Sequence, residues 1–188
     1  FSSRPSADGQ RAYFILGAYP SACHVRWTSQ EGDFRIAAVA VDNEPEPFWE
    51  GDDEHFYFDR WLKRINFNEH WGEVKPCGNL NGSSGIWIRN NVLAHYGITR
   101  SDAWITDCLD TYFESPKAAN RLDEAPISKF IKLHGIPNRM HQSHPSEDAI
   151  VRMALADHRK RLLSELNTAR SGRVITLGNA ALRVFRQL

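Results

Sequence analysis

Short apolar runs alternate with amphipathic stretches along this chain, and the runs end in loops rich in Gly, Pro or Asp. Arg11–Leu16 is almost wholly apolar and ends at Gly17; Phe34–Val41, Ala103–Thr106 and Arg173–Leu177 repeat the pattern. Runs that are apolar on both faces predict buried strands of a parallel sheet. Between them, Glu54–Ile65 carries Phe56, Trp61 and Leu62 on related helical turns. Ser84–Tyr96 carries Ile88, Val92 and Ala94 at helical spacing, and Gly97 follows as a natural left-handed cap. A long amphipathic helix is predicted over about 147–168. Ser146 opens it as N-cap, and Glu147 and Asp148 complement its dipole. Gly178-Asn179-Ala180 then turns the fourth strand into a last helix. Residues 1–10 read as a loose polar start, 66–82 has no clear period, and 115–143 is Pro-punctuated, with a short helix expected at Ile127–Leu133.

Strands alternating with helices predict an α/β fold, a Rossmann-like three-layer α/β/α sandwich around a central parallel four- or five-stranded sheet. Ligands of such folds bind beyond the carboxyl ends of the strands. The loops at 17–21, 42–51, 107–113 and 178–180 are therefore expected to converge on one cleft.

A length of 188 residues suits one domain, and 41% hydrophobic with 24% charged residues is ordinary globular usage. Lys+Arg and Asp+Glu both number 23, which argues against binding nucleic acid by bulk charge alone. The charge is unevenly spread. Residues 31–60 hold ten acidic and two basic side chains, whereas 145–188 hold eight basic and four acidic. That basic face reads either as a solvated helix surface or as one side of a nucleic-acid groove. Cys23, Cys77 and Cys108 are widely separated, with no C-x-x-C pair, and read as small buried hydrophobes in a reducing cytoplasm. No apolar run of about 18 residues predicts a membrane span, and no signal peptide is expected from the start at Phe1. All six tryptophans fall in the first 104 residues; most are expected in the core, with one or two free to stack a flat ligand.

Four segments, in order, resemble the uracil-DNA glycosylase superfamily, in particular its atypical bacterial branches. Leu16-Gly17-Ala18-Tyr19-Pro20-Ser21 is similar to that family's G-x-x-P-G/S loop after the first strand. Pro47-Phe48-Trp49-Glu50-Gly51 is similar to its P-F-x-G segment. Tyr96–Asp107 (YGITRSDAWITD) resembles L-G-I-x-R-x-D-V-Y-I-T-N, and Arg173–Ala181 (RVITLGNAA) resembles V-I-x-L-G-x-x-A. The resemblance covers most of residues 11–188. It implies a single domain that extrudes a base from DNA and hydrolyses its N-glycosidic bond. It also implies DNA, single- or double-stranded, as partner, the free base as product, no metal or organic cofactor, and a monomer in the cytoplasm with no membrane contact.

The resemblance assigns base binding to Gly17, Ala18, Tyr19, Pro20, Ser21, Phe48 and Asp107. Phe48 matches the stacking Phe, with Trp49 the runner-up; the competing reading is that Phe48 fills the core. Gly17 and Pro20 suit close, rigid approach of backbone to the sugar. Ala18 stands where the family commonly carries its water-activating residue. Catalysis must then draw on Asp42 and Asn43, in the triplet Asp42-Asn43-Glu44, or rest on electrostatic stabilisation of the cationic sugar. The competing reading of the triplet is turn chemistry ahead of Pro45. Asp107 replaces a base-reading Asn. Ionised, it offers acceptors only, which suits a modified or amino-bearing base better than uracil; otherwise it is a local cap.

His144-Pro145-Ser146 looks like the family's H-P-S motif but stands in the wrong order and reads as the helix cap. The fifth strand that carries that motif in the family has no counterpart before Leu188; either the domain is incomplete at its C-terminus and the protein longer, or this branch has lost the strand. The alternative function is a non-catalytic nucleotide- or DNA-binding module on the same fold, which Ala18 favours. A small α/β hydrolase is the weakest reading, because no G-x-S-x-G elbow accompanies Ser21.

Overall fold

A computed structural model describes residues 11–32, 35–113 and 144–188. The residues 1–10 and 115–143, including the helix expected at Ile127–Leu133, lie outside the described residues. The chain is a mixed α/β protein with two separate three-stranded sheets.

The first sheet is parallel, in the order β5-β1-β6, with β1 Tyr13–Gly17 at its centre, β5 Ala103–Asp107 on one side and β6 Arg173–Thr176 on the other. The register pairs Gly17 with Asp107 and Leu16 with both Thr106 and Thr176. All five β1 residues are buried, because helices cover both faces. Phe14 and Leu16 pack with Trp104, Ile150, Leu162 and Val184, the last three from the helices α4 (Glu147–Met153), α5 (Arg159–Ala169) and α6 (Asn179–Phe185). Tyr13 and Ile15 point the other way, onto Ile88, Val92 and Leu93. Those three belong to α2 (Ser83–Ile88) and the π-helical turn Arg89–Leu93, which runs on into α3 (Ala94–Tyr96) and ends at Gly97 in the left-handed conformation. Period-two alternation along β1 thus feeds two apolar layers at once.

The second sheet departs from expectation. Arg35–Asn43 (β3) pairs antiparallel with β2 (Ala22–Thr28), and β2 pairs antiparallel with β4 (Glu73–Pro76). Among the described residues the parallel sheet therefore has three strands, where four or five were expected. The described part of the apolar run at 34–41, from residue 35 on, belongs to a second sheet whose core, Val25, Val39, Val41 and Val74, is closed by Trp61 of α1 (Glu54–Arg64). A run apolar on both faces reports burial, and burial here comes from α1 instead of a parallel neighbour. Ser146 caps α4 as expected, its hydroxyl accepting from the Ala149 amide at 3.3 Å. Among the described residues no helix is long and apolar enough to cross a membrane.

Candidate functional site

Three of the four strand-end loops meet. The Cys108 and Leu109 amides donate to the Gly17 and Ala18 carbonyls at 2.9 and 3.0 Å, tying the loop after β5 to the loop after β1. The Asn43 amide side chain donates to the Asp110 carbonyl at 3.0 Å and accepts from the Tyr112 amide at 2.9 Å, tying in the end of β3. A cleft of about 1130 Å³ opens between them, lined among others by Pro20, Asp42, Asn43, Glu44, Asp107 and Arg161. The loop at 178–180 does not line it, and neither Gly17 nor Phe48 is among its lining residues.

Asp107 is 3% exposed, and neither carboxylate oxygen has a hydrogen-bond partner. Burial, with the Glu44 carboxylate nearby and Glu165 behind, holds its pKa well above the usual aspartate range; the Arg161 guanidinium opposes this but does not prevail. This environment favours the protonated form, which carries one O–H donor and one carbonyl acceptor, the hydrogen-bonding pattern of an amide. The ionised, acceptor-only Asp107 that the sequence suggested is the form that this burial disfavours. The cap reading loses its support as well, since neither oxygen receives a backbone N–H.

Gly17 makes this arrangement possible. A methyl group built on it would lie 2.1 Å from Asp107 Oδ1 and 2.6 Å from Phe48 Cζ. The first-loop backbone, the carboxyl and the phenyl ring therefore converge at one point. Phe48 is partly buried, packs against the core cluster that includes Tyr13, Ile15 and Ile88, and has φ +56°, a left-handed backbone that aromatic residues rarely adopt. Both sides of its peptide are held. Its N–H donates to Glu44 Oε1 at 3.1 Å, and its carbonyl accepts from the Arg100 guanidinium at 2.9 Å, which also binds the Pro47 carbonyl at 2.6 Å. Strain of this kind persists only where the surroundings over-determine it.

Glu44 does more than its neighbours in the triplet. It is 5% exposed, and its carboxylate accepts from the Ser21 amide at 3.0 Å and the Ser84 hydroxyl at 3.2 Å as well as from Phe48. Burial raises its pKa while these hydrogen bonds pull it back. Asp42 is paired with Arg64 at 2.6 Å and receives the Asn43 amide at 3.0 Å. Asn43 spends both ends of its side chain on the 110–112 loop. Both residues line the cleft, and both are engaged in holding its wall.

The remaining loop residues sit differently. Ala18 and Tyr19 pack against the helical side of the parallel sheet, Tyr19 edge-on to Phe113 and to His144, at 5.5 and 5.3 Å between ring centroids. Pro20 is buried in the cleft wall. Trp49, the runner-up for stacking, is buried against Tyr57, its indole N–H on Asp53 at 2.7 Å.

Arg161 stands in the sequence within a run of basic residues, yet it does not join a basic surface. Its guanidinium turns inward and donates to the Asp107 and Cys108 carbonyls, both at 2.8 Å, and to Thr106 Oγ1 at 3.2 Å. Glu165, one turn on and 5% exposed, pairs with it at 3.3 Å. Arg159 binds the Gln187 and Leu188 carbonyls, and Arg183 pairs with Asp148. Arg159, Arg161 and Arg183 are therefore committed within the protein, which thins the basic face available to a partner. The i, i+4 spacing of Arg161 and Glu165 was the available signal.

No protein-family model matches the chain, and no curated protein or solved structure matches it either.

Proposed function

We propose that the chain is a DNA glycosylase-like enzyme that takes a flipped base into the cleft and hydrolyses its N-glycosidic bond. The observation that carries this reading is Asp107: a carboxyl without a partner, buried at the end of a parallel strand, beside an aromatic ring and a glycine that admits both. An unsatisfied buried polar group costs roughly 1–3 kcal/mol, so its retention calls for a ligand that completes it. A planar base edge pairs with an acid of this pattern, and Phe48 supplies the face on which a base stacks. The four sequence segments that resemble the uracil-DNA glycosylase superfamily support the same reading. In it Gly17 and Pro20 bring backbone to the sugar, and Glu44 and Arg100 position Phe48.

The second reading is a non-catalytic nucleotide- or DNA-binding module. Its specific support is that Ala18 has no acid–base group while Asp42 and Asn43 are both tied to structural partners. Incubating the protein with duplexes carrying uracil, cytosine, 5-methylcytosine or adenine at one position separates the two. The enzyme reading predicts abasic sites in at least one duplex, and their loss in Phe48→Ala. DNA binding with no abasic sites in any duplex leaves the binding module.

A further inference from the structure

We propose that the Asp107 carboxyl is the acid that protonates the departing base, and that this base presents an amidine edge, a ring nitrogen lone pair beside an exocyclic amino group. Cytosine, its 5-substituted derivatives and adenine have that arrangement on the Watson–Crick edge; on the same edge uracil, thymine and guanine present N–H where the lone pair would be. The inference rests on the glycosylase reading and adds to it a substrate class and a proton.

Three features of the geometry carry it. Both carboxyl oxygens are shielded and unpartnered, so the acid has a donor and an acceptor to offer and no internal bond to give up. The one cation acting on it, Arg161, directs its two terminal nitrogens to the carbonyls of Asp107 and Cys108 and to Thr106 and makes no hydrogen bond to the Asp107 carboxyl; its Nε is buried without a partner. The other charged groups acting on Asp107, Glu44 from the loop after β3 and Glu165 from α5, are carboxylates, which favour the protonated form. Asp42 and Asn43 are occupied elsewhere, which leaves activation of the leaving group as the chemistry this cleft can supply.

With cytosine in the cleft, the Asp107 O–H faces N3 and its carbonyl oxygen accepts from the exocyclic amine. As the bond from C1′ to N1 breaks, its electron pair enters the ring and the Asp107 proton passes to N3, so the base leaves neutral. Water adds its oxygen to the cationic C1′ and releases its surplus proton to bulk solvent. Asp107 takes up a proton again when the base departs. Uracil could hydrogen-bond to the same acid but offers no ring lone pair to receive the proton.

Asp107→Asn tests this, because the amide keeps the donor, the acceptor and the shape but cannot release a proton. Free cytosine binding, measured by calorimetry, should survive within about tenfold. Single-turnover excision should fall by roughly 10²- to 10⁴-fold, the usual scale of general acid catalysis. The native rate should decline as pH rises through the range where Asp107 ionises, and the variant's residual rate should not. Excision at the native rate by Asp107→Asn, with its melting temperature intact, overturns the acid and leaves the glycosylase standing. Excision of uracil in preference to cytosine and adenine overturns the substrate class. Absence of excision from every duplex removes the glycosylase reading and the acid together.

Discussion

Gly17→Ala is the sharpest perturbation of the site. Gly17 does not hold a left-handed backbone, so alanine meets no conformational objection there. What it meets is contact. The new methyl carbon would sit 2.1 Å from Asp107 Oδ1 and 2.6 and 2.9 Å from two Phe48 ring carbons, where ordinary van der Waals contact begins about an ångström further out. Both neighbours must move. The Asp107 backbone is fixed by the β1–β5 register and by Arg161, so its unpartnered carboxyl has to rotate, and the Phe48 ring has to shift as well. Forcing a methyl into a packed site costs about 1–3 kcal/mol. At this chain length each kcal/mol lowers Tm by about 2–4 °C, so the drop should be about 2–12 °C. Displacing the ring also removes the stacking face, worth about 1–3 kcal/mol per base, so affinity for free base should fall about 5- to 150-fold. Differential scanning calorimetry and titration with free cytosine read the two effects separately. An unchanged Tm together with unchanged cytosine affinity would refute the claim that Gly17, Phe48 and Asp107 share one contact point.

Three further outcomes follow from the same geometry. Asp107 keeps its proton in the folded state at pH values where the unfolded chain has lost it. Its contribution to stability is therefore complete below the unfolded pKa of about 4 and is lost as pH rises towards the folded value, at about 1.4 kcal/mol for each pH unit in between. Urea denaturation of Asp107→Asn should accordingly show a gain over the native protein that grows from about pH 4 upwards; a constant difference would mean that Asp107 ionises normally. Arg100→Ala removes the clamp on the Pro47 and Phe48 carbonyls and should cost about 1.5–3 kcal/mol in denaturation midpoint analysis, with weakened base binding; base affinity equal to the native value would show that Phe48 holds its conformation unaided. Burial lifts Cys23 and Cys108 to about 12, Cys23 with added repulsion from Asp42 and Glu44. Iodoacetamide at about pH 7.5 should leave both unmodified until the chain is unfolded, and rapid labelling of either would contradict that burial.

The parallel sheet was legible because its strands are continuous apolar runs, and a run covered on both faces needs no partner information to be recognised. The second sheet was not. Ala22–Thr28 mixes His24, Arg26 and Thr28 with apolar residues and directly follows the Gly-Pro loop, so it reads as an extension of that loop. Glu73–Pro76 is four residues long and ends in proline, a composition that argues against a strand unless it lies at a sheet edge, as β4 does. Phe34–Val41 announced a buried strand but not its neighbours, since parallel and antiparallel burial leave the same apolar signature.

Strand-end position singled out Gly17 and Asp107, and the P-F pair singled out Phe48. The division of labour within Asp42-Asn43-Glu44 was not legible, because the three are chemically similar and adjacent. Only tertiary contacts show that Glu44 turns inward to the Ser21 and Phe48 amides while Asp42 meets Arg64. The upward pKa shift of Asp107 lay equally out of reach. It follows from burial and from the direction in which Arg161 points its guanidinium, and the run Arg159-Lys160-Arg161 looks like solvent-facing charge until both are known.

The Asp107 carboxyl carbon can be followed directly by ¹³C NMR in protein labelled at aspartate, with Asp107→Asn assigning the resonance. The account predicts that at about pH 7 this carbon keeps the chemical shift of a protonated acid and moves when free cytosine is added. A carbon that titrates near the ordinary aspartate value of about 3.9 and is unmoved by cytosine, adenine or uracil would contradict the claim that Asp107 is a neutral acid waiting for a base.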